Sequence, residues 1–187
     1  MTRTEMKFVG YGGQGIITMS KLIAKGALLY DGKEVAQTEA YGAAARGGVC
    51  WAEVIISDKK IDYPRAMSIQ YLIVLTKMGA DAYKGKVTKD GIIFRDPLTV
   101  PKYRAKKTQK LYDIPATQIA REEFKFPVVA NVIMFGAIVA ITKLISRESA
   151  KKTVESSVPK KALEINYKAL ERGFQIADEL LAQEQSS

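Results

Sequence analysis

The stretch Met6-Lys-Phe-Val-Gly-Tyr-Gly-Gly-Gln-Gly-Ile-Ile17 constrains the fold more than any other part of the chain. Met6–Val9 is a short apolar run with one charge, the pattern of a strand in the middle of a sheet. Gly10, Gly12, Gly13 and Gly15 follow, residues that reach positive φ and let a ligand or another backbone come close. From Ile16 onward, Ile17, Leu22, Leu28 and Leu29 recur at helical spacing with alanines between them. The stretch therefore reads as strand, tight turn and helix start, and a helix start offers free N–H groups and partial positive charge to an anion. Gly10-Tyr-Gly-Gly-Gln-Gly15 also fits the dinucleotide pattern G-x-G-x-x-G. By itself that leaves three readings open: a structural turn, a nicotinamide or flavin site, or another anionic ligand or partner on the loop.

Composition removes several chemistries. The chain of 187 residues has no histidine, so Ser-His and Cys-His pairs and the usual zinc ligand are absent. One cysteine, Cys50, excludes an intrachain disulfide and any multi-cysteine metal or iron–sulfur site; beside Trp51 it reads as a buried small hydrophobe. A net charge of +9 favours anionic ligands or acidic partners. The basic run Lys102–Lys110 lacks regularly interleaved aromatics and reads as a solvated loop or edge strand, so nucleic-acid binding has little support. Met1–Met6 is too polar and short for a signal peptide, and the apolar run from Pro127 to Thr142 is too short to cross a bilayer. A cytoplasmic protein with no membrane contact is expected.

Glu34–Tyr41 reads as a second strand and Val49–Ile56 as a third. The gap between them is too short for a crossover helix, so they are antiparallel or not neighbours. Further strands are expected at Tyr71–Leu75 and Gly91–Phe94, and short helices at Gly79–Tyr83 and Ile114–Glu123. Pro127 opens a helix that is apolar nearly all round, with Asn131 the odd residue at its start. A polar helix is expected over Ser149–Ser157. The last helix, Lys160–Gln183, carries a seam of Leu163, Tyr167, Leu170, Phe174, Ala177 and Leu181, facing either the chain's own sheet or a second subunit. The expected fold is α/β: a mixed, mostly parallel sheet with helices on both faces and a Rossmann-like glycine turn after strand 1, in one domain spanning 1–187.

Three segments together, Gly10–Ile16, Thr38-Glu-Ala-Tyr-Gly-Ala-Ala-Ala-Arg-Gly-Gly48 and Asn131-Val-Ile-Met-Phe-Gly136, resemble the gamma subunit of the 2-oxoacid:ferredoxin oxidoreductases. The likeness runs from about Met6 to Leu180, and Thr38-Glu-Ala-Tyr-Gly is most similar to the 2-oxoglutarate type. It implies a non-catalytic subunit of a complex whose alpha and beta subunits, with delta in some cases, hold thiamine diphosphate and iron–sulfur clusters. That complex decarboxylates a 2-oxoacid, reduces ferredoxin and passes the acyl group to coenzyme A. Coenzyme A is expected on this chain, at Gly12, Gly13, Gln14, Gly15, Tyr41, Arg46, Gly47, Gly48 and Asn131, with no catalytic or metal-binding residue. Isolated, the chain is expected to be inactive and able to form a homodimer. The alternative is a stand-alone nicotinamide- or flavin-binding oxidoreductase, with Glu39 holding a ribose.

Overall fold

The computed structural model describes residues 3–41 and 48–185. Six strands form one sheet: β1 (Arg3–Tyr11), β2 (Glu34–Ala40), β3 (Val49–Ser57), β4 (Ile69–Val74), β5 (Val87–Arg95) and β6 (Lys110–Asp113). Their order is β2-β3-β1-β4-β5-β6. β3 runs antiparallel to both its neighbours, and β1, β4, β5 and β6 are mutually parallel. Five strands thus point one way and β3 alone opposes them. The mixed, mostly parallel sheet is as expected, and of the two arrangements left open for β2 and β3 the antiparallel pairing is the one observed.

The helices are α1 (Ile16–Lys25), α2 (Lys77–Tyr83), α3 (Ala116–Glu122), α4 (Ala130–Thr142), α5 (Arg147–Glu155) and α6 (Leu163–Gln185). Strand alternation sends Met6, Phe8, Ala52, Val54, Ile56, Ile73 and Phe94 to one face, where they pack with α1, α3, α4, α5 and α6. Val9, Leu72, Val74 and Ile93 point to the other, where the only helix among the described residues is the seven-residue α2. Helices lie on both faces, but very unevenly. Gly79 lets α2 sit close on β1, since a Cβ there would lie 2.5 Å from Val9.

α4 is buried nearly all round, as its sequence suggests. The seam on α6 faces α4 rather than the sheet, and its centre is set by two glycines. A Cβ on Gly136 would lie 2.5 Å from the Leu170 carbonyl, and one on Gly173 would collide with that of Ile133. The buried stripe of α6 accordingly runs through Ala169, Leu170, Gly173, Phe174, Ile176 and Ala177, while Leu163, Tyr167 and Leu181 are only partly covered. Leu28 and Leu29 depart from the expected helical stripe and are exposed. The chain widens into a π turn over Gly26–Tyr30, which rotates them away from the core.

Candidate functional site

β1 delivers the chain to the carboxyl end of the sheet, where Gly13 (φ 92°) and Gly15 (φ 74°) make the turn. Gln14 braces it from within. Its Oε1 accepts from the Tyr11 N–H at 2.6 Å, and its Nε2 donates to the Leu75 carbonyl just past β4 at 2.9 Å. Gln14 thus clamps the turn, with both ends of its amide bonded to the chain's own backbone. Gly12 donates its N–H to the Gly48 carbonyl at 3.2 Å, which ties the second glycine segment to the first. No described residue accepts from the N–H groups of Gly13 or Gly15. Gly15 caps α1 without a side-chain bond, and no acidic residue stands in the first turn. These donors, with the first N–H groups of α1, remain available to an anion.

Asn131 reaches the same place from α4. A Cβ on Gly15 would lie 2.5 Å from its own Cβ, so the start of α4 rests directly on the turn. α4 also begins without a side-chain cap or a first-turn acid. The start of α1 and the first turn of α4, which continues a 3-10 turn over Pro127–Val129, therefore meet at one cleft of about 420 Å³, lined by Gly12, Gly13, Gly15, Lys21, Tyr41 and Asn131. Behind it, sharing Gly13 and Asn131, a more enclosed cavity of about 180 Å³ runs between Gln14, Thr99, Thr117 and Arg121. Asp96, buried beneath it, accepts from the N–H groups of Leu98 at 3.0 Å and Thr117 at 2.7 Å, and so fixes the start of α3.

The structure brings Gly12, Gly13, Gly15, Tyr41 and Asn131 to one cleft, and Gly48 touches it through its carbonyl. Arg46 and Gly47 lie outside the described residues. Lys21 and Arg121 were missed. Lys21 was within reach of sequence reasoning, because it lies six residues beyond Gly15 on the face shared by Thr18. Arg121 was not, because its position depends on strand order. Cys50 is buried and burial pushes its thiol up, in keeping with a packing role.

Glu39 argues against the dinucleotide alternative. A ribose-binding acid belongs at the end of a parallel strand beside β1. Here β3 separates β2 from β1. The Glu39 carboxylate is also occupied: Gln37 donates to it at 3.0 Å, Lys21 at 3.1 Å and Tyr41 at 3.4 Å. The Gln37 hydrogen bond first, then Lys21, hold it below the usual carboxylate range. Among the described residues, no group of histidine, cysteine or carboxylate side chains is placed to hold a metal ion, and no helix is long and apolar enough to cross a membrane.

A glycine turn open to anions at the carboxyl edge of a mixed sheet defines an anion-receptive α/β domain. Residues 5–176 match the family model described as pyruvate ferredoxin/flavodoxin oxidoreductase, and the chain belongs to that family. It is 40% identical over 179 residues to 2-oxoglutarate synthase subunit KorC of Methanocaldococcus jannaschii, covering 95% of this chain and 96% of that one. It superposes with a TM-score of 0.85 and 34% identity on the gamma subunit of a keto/oxoacid ferredoxin oxidoreductase from Geobacter sulfurreducens, covering 95% and 97% of the two chains. The fold also recurs, at a TM-score of 0.87 and 21% identity, in 32% of a 2-oxoglutarate:ferredoxin oxidoreductase chain from Magnetococcus marinus. That enzyme was solved with 2-oxoglutarate, coenzyme A and succinyl-CoA bound.

Proposed function

We propose that the chain is the gamma subunit of a cytoplasmic 2-oxoglutarate:ferredoxin oxidoreductase, and that its glycine-turn cleft holds coenzyme A. The observation that carries the first part is near end-to-end similarity, at 40% identity, to a 2-oxoglutarate synthase subunit. In such a complex 2-oxoglutarate is oxidatively decarboxylated, the electron pair passes to ferredoxin and the succinyl group to the thiol of coenzyme A. Thiamine diphosphate and the iron–sulfur clusters belong to the alpha, beta or delta partners, since this chain offers no cysteine or histidine set for a cluster.

The donor set suits a phosphate-rich ligand. Gly13, Gly15 and the start of α1 supply N–H groups and partial positive charge, and Lys21 supplies a full charge. The exposed ring of Tyr41 at the rim offers a stacking surface to adenine. The open space around Gly13, where an added Cβ would meet nothing within 4 Å, leaves room for a phosphate to approach the backbone.

Coexpression with candidate alpha, beta and delta subunits tests the reading. A purified complex that reduces a dye only with both 2-oxoglutarate and coenzyme A is expected. Absence of a complex, or equal activity without coenzyme A, would refute it. Calorimetric titration of coenzyme A into the isolated chain and a Lys21→Ala variant tests the placement. Equal binding by both removes Lys21 from the site, and no binding to either places coenzyme A elsewhere.

A further inference from the structure

The sheet face opposite the long helices is left short of cover. Parallel sheets are normally covered on both sides, yet across β1 and β3 this face carries, among the described residues, only α2 and the segment 58–68. That segment is strapped down by carboxylates from the strands. Glu5 accepts from the N–H groups of Met67 and Ser68, each at 2.5 Å, and Glu53 accepts from that of Ala66 at 3.3 Å. Between strap and α2 lies an open cleft of about 530 Å³.

Its walls alternate cations and rings. The Arg65 guanidinium stands 5.7 Å from the Trp51 ring centre, and Lys7 Nζ lies 3.5 Å from the same ring and 4.8 Å from that of Tyr83. Lys86 Nζ is 4.9 Å from the centre of the Tyr83 ring. The carboxylate lining the cleft, Glu53, is bonded to Lys7 at 2.8 Å. Arg65 and Lys86 pair with no carboxylate among the described residues. Tyr63 and Met67, both more than half exposed, form the rim. Tryptophan, tyrosine, methionine and arginine around a desolvated centre are the residues that concentrate binding energy in interfaces.

We infer that this face docks a partner subunit, which inserts a carboxylate-bearing segment between Arg65 and Lys86. The inference rests on the proposed gamma-subunit reading and deepens it by naming the surface. The occupant is acidic because the cleft is short of negative charge. A second copy would bring the same unpaired cations against themselves. Lys7 supports the geometry: burial lowers its affinity for a proton, and the neighbouring Arg65 and Lys86 add to that, so an incoming carboxylate relieves all three.

The test is assembly of the full complex with Arg65→Glu/Lys86→Glu, against Lys160→Glu/Lys161→Glu on the helical side, which carries the same change in net charge. The first variant is expected to assemble at least tenfold more weakly, with loss of the salt dependence, and the second as the wild type does. Both side chains of the first are exposed and make no ion pair among the described residues, so the isolated variant should keep its circular dichroism and melting temperature. Hydroxyl-radical footprinting of the wild-type complex should show Trp51 and Met67 protected relative to the isolated chain. Unchanged assembly of the first variant, equal weakening of both, or unprotected Trp51 overturns the inference. Protection in the isolated chain at high concentration overturns it in favour of a homodimer. If the wild-type chain joins no partner, the gamma-subunit reading itself fails, and the two failures are thereby told apart.

Discussion

Gly13 and Gly15 both have left-handed backbones, yet substitution should separate them. An alanine in this conformation costs roughly 1–2 kcal/mol. At Gly13 nothing lies within 4 Å of an added Cβ, so strain is the whole cost. At Gly15 the new methyl would lie 2.5 Å from the Asn131 Cβ, which belongs to the helix α4 and cannot swing aside. Forced overpacking adds about 1–3 kcal/mol, for a total of roughly 2–5 kcal/mol by these two principles. With a urea m-value of about 2 kcal/mol/M for a chain of this size, the midpoint should fall by about 0.5–1 M for Gly13→Ala and about 1–2.5 M for Gly15→Ala. The assay is urea unfolding of the isolated chain followed by circular dichroism, with m held equal as the check on two-state behaviour. Coenzyme A affinity should show the reverse emphasis. Gly13→Ala fills the space by which a phosphate approaches and should bind at least tenfold more weakly while still folded. A Gly15→Ala midpoint equal to wild type, or a larger loss at Gly13 than at Gly15, would refute the packing argument for the turn.

Gly173→Ala should destabilise by about 2 kcal/mol or more in the same assay despite the better helix propensity of alanine, because the atoms its methyl meets are backbone of α4. Tyr103 Oη is buried with no partner among the described residues, and burial pushes its ionisation up to about 12. Tyr103→Phe should therefore be neutral or stabilising by about 1 kcal/mol, and spectrophotometric titration should lose one late-ionising tyrosine; a clear destabilisation would mean the hydroxyl has a partner. Lys7 is held below its usual 10.5 chiefly by burial, against the opposing pull of Glu53. Between that lowered value and 10.5 the unfolded chain binds a proton the folded chain has released, so this group makes stability rise with pH across the window. Lys7→Met should remove that rise and cost roughly 3–5 kcal/mol by stranding Glu53, with much of the loss recovered in Lys7→Met/Glu53→Gln. Denaturation at a series of pH values checks both, and an unchanged slope would remove Lys7 as its source.

What could be read from the sequence was local. Met6–Val9 followed by glycines announces a central strand and a turn because burial on both faces and positive φ leave marks on residue type. The length of the gap between β2 and β3 excluded a parallel crossover but left open whether the two are neighbours. The α6 seam was readable too, but its partner was not: the seam meets α4 because Gly136 and Gly173 let two backbones approach, and spacing alone cannot say which surface a stripe faces. Leu28 and Leu29 misled because the π turn depends on Gly26 wedging against Ile145 and Thr153, a contact more than a hundred residues away. Arg121 and Thr117 reach the cavity behind the cleft through the order β1-β4-β5-β6. Lys7, Trp51 and Glu53 share a face by strand alternation, but nothing local indicates that this face lacks a helical layer.

Antiparallel pairing explains how two glycine segments come to make one cleft. In the β1–β3 register Tyr11 opposes Val49, so β3 begins where β1 ends. β2 runs parallel to β1 and ends opposite the start of β3, with Ala40 facing Trp51. The carboxyl end of β1, the end of β2 at Tyr41 and the start of β3 at Gly48 therefore fall at the same edge of the sheet. The Gly12–Gly48 hydrogen bond is the direct result. On the other side of β1, parallel pairing brings the carboxyl ends of β4 and β5 to that edge, and with them Leu75 and Asp96. A crossover helix between β2 and β3 would have sent the start of β3 to the opposite edge and left the glycine turn with half its surroundings. The reversed strand beside β1 is thus the feature that gathers residues far apart in the chain into one anion-receptive cleft.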